Sequence, residues 1–189
     1  MTGEKMARME AFIESVEGNL SHVKRVLHIC TILAQKENMD FDEDVLVFAA
    51  YFHDISAYPP YAPAGAFDHA LESGKLAPDM AKEWGYGGES IEKIVEAVKY
   101  HDKAGMGKYN ETRLIRNADG IDYLGFMAVA RDFVKQPKDM NKAMAALKKR
   151  ETMFAPLIDL ESAREMAEPR ITELNHFIGR FEEESFGIY

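Results

Sequence analysis

The residues best suited to chemistry in this sequence are its histidines and a few acids placed among apolar neighbours. There are six histidines in all, and helical spacing separates them into two groups. His22 falls on a line with Val26, Ile29 and Leu33, and His53 follows Leu46, Ala49 and Ala50. His101 follows Ile94 and Val98, while His69 precedes Ser73, Leu76 and Met80. These four are expected to face the core. His28, beside Lys24, Thr31 and Gln35, and His176, beside Glu173 and Arg180, are expected to face water. One inward imidazole is commonly just a hydrogen-bonded core residue. Four would each need a buried polar partner, and a metal ion is a partner they can share.

Two acids point the same way. Asp54 ends the run VLVFAAYFHD, which is apolar on every side, and an ionised carboxylate there needs a cation or several donors. His53 and Asp54 project about a hundred degrees apart on a helix and so can meet one ion at its end. Asp119 shares a line with Ile115 and Tyr123; Asp122, a turn later, is the alternative, expected to support the site or to pair with Arg113 or Arg116. The single cysteine, Cys30, excludes an internal disulfide and a thiolate zinc site, so His and carboxylate must hold any metal. Nitrogen and oxygen ligands suit Mn, Fe, Ni, Co or Zn.

The elements that would carry these residues are helices. Apolar residues recur at three and four, and no stretch alternates as a strand does. The fold class is therefore all-α. Helices are expected over about 4–16, 21–38 with Ser21 as cap, and 42–56 with Asp42 as cap, ended by the Pro59-Pro60 pair. A fourth spans about 68–84, bent or interrupted at Pro78; a fifth spans 89–101; a long sixth runs from a cap at Asn110 to Lys135. Two more cover roughly 138–153 and 160–184. The 189 residues are read as one domain, 1–189.

A net charge of −9 argues against a nucleic-acid polymer as partner, while leaving room for a small anion held by a few local cations. The charged N-terminus and the shortness of the apolar run VLVFAAYF argue against a signal peptide and a membrane partner, so a cytoplasmic protein is expected. The acidic C-terminal helices either stabilise a homodimer or buttress the core from within.

Taken in order, His22, His53-Asp54 and Asp119 form the arrangement H…HD…D, which resembles the HD superfamily of metal-dependent phosphohydrolases. HVKRV, AAYFHDIS and LIRNADGIDYLG are similar to the family's ligand-bearing helices. The resemblance covers about Ser21 to Gly125, a core of 21–125, and leaves a C-terminal helical extension over 137–189. It implies a helical bundle, one or two divalent ions held by His22, His53, Asp54 and Asp119, and further ligation of a second ion or of phosphate by His69 and His101. Asp54 would also act as the catalytic residue that orients the attacking water. Many members read HDIGK where this chain reads HDISA, so Ser56 and Ala57 offer no cation. Arg25, Lys103, Lys108 and Arg116 are then the candidates for holding a phosphorylated substrate, a nucleotide being the expectation. Two other readings share these residues: a di-iron oxygenase, and a non-catalytic nucleotide sensor or partner-binding module.

Overall fold

The computed structural model describes residues 2–189. Among them are ten α-helices and two short 3₁₀ turns, with no strand. α1 (Gly3–Ser15) and α2 (Leu20–Glu37) precede α3 (Glu43–Phe52), whose residues from Val45 onward are all buried. α4 (His69–Glu83), α5 (Glu89–Tyr100) and α6 (Asn110–Asp122) complete the ring of helices around α3. α7 (Gly125–Lys135), α8 (Met140–Leu147), α9 (Arg150–Phe154) and α10 (Glu161–Ser185) follow, and α10 packs back on α2, α6 and α7. No helix among the described residues is long and apolar enough to cross a membrane.

The caps explain where the helices start. Asp42 accepts from the N–H groups of Asp44 and Val45, and Asp68 accepts from that of Leu71. The cap of α2 is Asn19 rather than Ser21: Asn19 accepts from the His22 N–H, and the Ser21 hydroxyl merely donates to Asn19. Asn110 does not cap α6 either. It is the first helical residue, and the carboxylate of Glu96 holds the chain that enters the helix by accepting from the N–H groups of Lys108 and Tyr109.

Three expected outlines change in tertiary context. α4 runs through Pro78 without interruption, held by a face of small residues (Ala70, Ser73, Gly74, Ala77) so close to α5 that a Cβ on Gly74 would lie 2.9 Å from that of Lys99. The long sixth helix is two helices. Gly125 adopts φ +69° and Arg170 of α10 lies against it while donating to the Ile121 carbonyl, so α10 both fits the turn and satisfies the end of α6. The segment 138–153 is likewise divided, into α8 and α9.

Asn117 fixes α6 against the chain that enters α10. Its amide donates to the Arg113 carbonyl and to Asp159, and its oxygen accepts from the N–H groups of Asp159 and Leu160. Burial works against a charge on Asp159, but Asn117 and Arg113 outweigh it and hold its carboxyl below the usual range. That stabilisation is present above the ordinary carboxylate pKa of about 4 and is lost as pH falls through the depressed value. Asn117→Ala should therefore cost roughly 1–3 kcal/mol, because buried N–H groups lose their acceptor. The midpoint of thermal unfolding should drop by several degrees at neutral pH, and by less below about pH 4. An unchanged midpoint at pH 7 would remove Asn117 from this role.

Candidate metal centre

α3 brings His53 and Asp54 to the middle of the molecule because a helix buried on all sides can only end there; Asp54 is 9% exposed. His53 and His101 occupy equivalent positions, each just past the end of a helix. The Nδ1 of His53 donates to the Ala50 carbonyl at 2.8 Å, and that of His101 donates to the Val98 carbonyl at 2.7 Å. A carbonyl only accepts, so both rings carry their proton on Nδ1 and aim Nε2 inward. His22 is set the same way, with Nδ1 at 2.7 Å from Asp122 Oδ2.

The inward nitrogens meet two carboxylates. Asp54 Oδ2 lies 3.5 Å from His53 Nε2 and 3.9 Å from His22 Nε2, while its Oδ1 lies 3.4 Å from His101 Nε2 and 3.3 Å from His69 Nε2. Asp119 Oδ1 is 3.2 Å from His22 Nε2 and 3.9 Å from His53 Nε2. Asp54 thus stands between two groups of imidazoles, one oxygen turned to each. Nitrogens also face each other, at 3.3 Å between His22 and His53 and 3.2 Å between His69 and His101. Two such nitrogens this close need a proton or a cation between them. Asp54 Oδ1 and Asp119 Oδ1 are buried and make no hydrogen bond of good geometry among the described residues. Carboxylate oxygens so placed among imidazole Nε2 atoms fit a divalent ion, which would displace those protons. The sets His22/His53/Asp119 and His53/Asp54/His101 each place three ligand atoms within 4.8 Å of one another.

The family model described as HD domain matches residues 19–124, more than half of the chain. The chain belongs to the HD-domain family. A search of curated proteins finds no match. Among solved structures, Bacillus subtilis YpgQ is similar over 96% of this chain and 95% of its own, at 19% identity and a TM-score of 0.72. YpgQ in complex with ADP matches over 95% and 97%, at 19% identity and 0.69. An HD-superfamily hydrolase from Bacillus thuringiensis matches over 98% of each chain, at 18% identity and 0.70. Likeness at this identity shows a shared fold, which here spans the C-terminal helices as well as the HD core.

Within this HD domain, His22, His53, Asp54, Asp119 and His101 are buried together, and His69 stands at the mouth with a side chain 40% exposed rather than in the core. His28 and His176 are exposed. The four basic residues singled out from the sequence lie elsewhere or are already engaged. Arg25 grips Asp122 through Nε and Nη2, and Arg116 is paired with Asp159 and the Met106 carbonyl. Lys103 bridges Asp68 and Asp102; Lys108 is exposed over the Tyr109 ring. Cys30 is buried, burial pushes its thiol up, and it stands outside the His/Asp groups that could hold an ion. Asp122 pairs with Arg25 and Arg131, not with Arg113 or Arg116. Arg131 escaped notice because a continuous sixth helix would have put it on the wrong face; the break at Gly125 turns it toward His22, with Nη1 3.2 Å from Nδ1.

Electrostatics express the same need for positive charge. Burial works against protonation of His22, yet the carboxylates of Asp119 and Asp122, one at each ring nitrogen, outweigh it and push the imidazole up to about 9. At His101 burial is likewise outweighed, by the adjacent carboxylate of Asp54, giving about 9. At His53 burial prevails and holds the imidazole down to about 4. Burial opposes ionisation of Asp54, but His53, His101 and His69 hold its carboxyl well below the usual range.

Two predictions follow from this balance of charge. Below about pH 9 the metal-free site keeps protons on His22 and His101, so metal must displace them. Uptake of Mn²⁺ at pH 7 should release protons into weakly buffered solution, and affinity should climb with pH until about 9; uptake without proton release contradicts it. Asp122→Asn should weaken metal binding by roughly 10–100-fold, since His22 loses the carboxylate that orients it. Retention of wild-type affinity would show that the packing around His22 alone sets the ring.

Proposed function

We propose that this protein is a metal-dependent phosphohydrolase acting on a small phosphate ester, of nucleotide type. The observation that carries the reading is Asp54, whose two oxygens each face a pair of imidazole nitrogens, with Oδ1 making no hydrogen bond of good geometry among the described residues. The donor set supports it, as do the hydrolase description of the Bacillus thuringiensis relative and the ADP in complex with YpgQ. His22, His53, Asp54 and Asp119 would hold one ion, with His69 and His101 beside a second or beside the substrate. A divalent ion there supplies Lewis acidity toward a phosphoryl oxygen and lowers the pKa of water from about 16 toward about 7.

The chain's own residues supply the rest. Asp54 would orient the attacking water through Oδ1, which makes no hydrogen bond of good geometry among the described residues. The Nδ1 bonds of His53 and His101 to backbone carbonyls keep both rings from turning as charge changes in front of them. The walls are close-packed: His22 and Tyr123 meet edge to face at 5.4 Å, and Tyr123 stacks on Phe154 at 4.4 Å. One feature also suits a second reading. Two imidazole groups on either side of one carboxylate could serve a di-iron oxygenase, in which case the iron-loaded protein consumes O₂ and shows no phosphatase turnover.

The test is a panel of nucleotides and phosphate esters incubated with the Mn²⁺-loaded protein. Turnover should vanish with chelator and return with added metal. Asp54→Asn should reduce it roughly a hundredfold or more while circular dichroism stays unchanged. His28→Ala, on the exposed face of α2, should leave it intact. Full turnover by Asp54→Asn would remove Asp54 from the reaction.

A further inference from the structure

A cleft of about 490 Å³ opens between α2, the start of α7 and α10, behind His22 as seen from the metal centre. Asp122 separates the two spaces. Its Oδ2 meets Nδ1 of His22, the ring nitrogen turned away from the centre, and the same residue lines the cleft. The carboxylate is buried and gripped by two nitrogens of Arg25, so a molecule entering the cleft meets guanidinium rather than acid there. The volume suits a small organic molecule.

Two guanidiniums line this space, one from α2 and one from α10. Arg25 uses Nε and Nη2 on Asp122, and its Nη1 makes no hydrogen bond among the described residues. Arg170 donates through Nη1 to the Ile121 carbonyl; its Nε and Nη2 are unbonded, and it has no ion pair among the described residues. Asp122 does little to neutralise it, being shared already by Arg25, Arg131 and His22. Burial holds the Arg170 guanidinium below its ordinary pKa; Asp122 acts against this, and the neighbouring charge of Arg25 adds to it. Glu173, exposed at the rim, is the acid an entering anion must pass, and Lys24 on the same rim is paired with Glu10.

The remaining wall is apolar. Leu124 is buried, whereas Met127 and Phe126 of α7 stand 36% and 62% exposed. Large apolar side chains open to solvent beside guanidinium donors without acceptors match a ligand with an anionic end and a flat body. We propose that this cleft is an accessory site for a small organic phosphate, its dianionic end held between Arg25 and Arg170 and its ring laid against Phe126 and Met127. Two planar guanidiniums match the oxygens of one phosphate. Arg170 lies on α10, beyond the 19–124 match to the HD domain, so the HD core without its C-terminal helices would lack the site. The proposal does not rest on the phosphohydrolase reading, because the cleft holds none of the ligands of the metal centre.

The test uses phenylphosphonate, which has no ester bond to hydrolyse. Its binding is measured by calorimetry on the full-length Mn²⁺-loaded protein and again after chelation, with metal content determined in each sample. Saturable binding with a Kd below about 1 mM should survive removal of the metal. Phe126→Glu, which puts an acid in place of the exposed ring, should weaken it about tenfold, and Glu173→Gln should tighten it about threefold. Arg170→Met should weaken it at least as much as Phe126→Glu, while Lys142→Met, an exposed lysine on α8, should match the wild type. Arg170 also holds the end of α6, so if its variant unfolds by circular dichroism, Phe126→Glu decides. Binding that vanishes with the metal places the anion on the centre and overturns the accessory site, as do the absence of saturable binding and a Phe126→Glu affinity within about twofold of wild type. Each of these leaves the phosphohydrolase reading standing. Phe126-dependent binding by a protein that hydrolyses no phosphate ester keeps the site and overturns that reading.

Discussion

A carboxylate at the end of a fully buried helix must be met by positive charge, and much of this structure is arranged around that demand. α3 is apolar on all sides from Val45 to Phe52, so the chain that leaves it carries Asp54 into the interior. Hydration is denied there, and the desolvation cost is offset only by imidazoles with cations or protons among them. His22, His53, His69 and His101 converge from α2 and from the ends of α3 and α5 and the start of α4. Each buried ring is fixed by an acceptor on its far nitrogen, which leaves Nε2 for the centre.

α6 shows how surroundings give two acids of the same type different work. Asp119 presents Oδ1 to Nε2 atoms, and that oxygen makes no hydrogen bond of good geometry among the described residues, whereas Asp122, a turn later, accepts from His22, Arg25 and Arg131. Burial opposes the ionisation of Asp122, but His22 and Arg25 overcome it and keep the carboxyl far below the usual range. It acts as a fixed negative strut that orients His22 from behind, while Asp119 faces the place a cation would take.

The helices beyond the HD core do more than cover it. α10 places Arg170 against Gly125 and on the Ile121 carbonyl, so the turn between α6 and α7 is set by a residue nearly fifty positions away. That turn directs Arg131 toward His22 and lays it on Tyr123, whose ring is clamped from its other side by Phe154. The core supplies the candidate ligands, and the extension supplies charge and walls around them.

The sequence by itself determined the all-α class, the buried status of α3, and the inward or outward direction of His22, His53, His101, His28 and His176, because a helical period of 3.6 and local caps such as Asp42 act over a few residues. It also brought out Asp54 and Asp119 as acids among apolar neighbours. The roles of the basic residues were decided by tertiary structure. Arg25, Arg116 and Lys103 are held by Asp122, Asp159 and Asp68, contacts spanning dozens of positions that no local pattern encodes. The depth of His69, the continuity of α4 through Pro78, and the break at Gly125 depend on which helix lies alongside. A helical period gives direction around an axis; distance from the centre, and which charge answers which, arise only when the axes are packed.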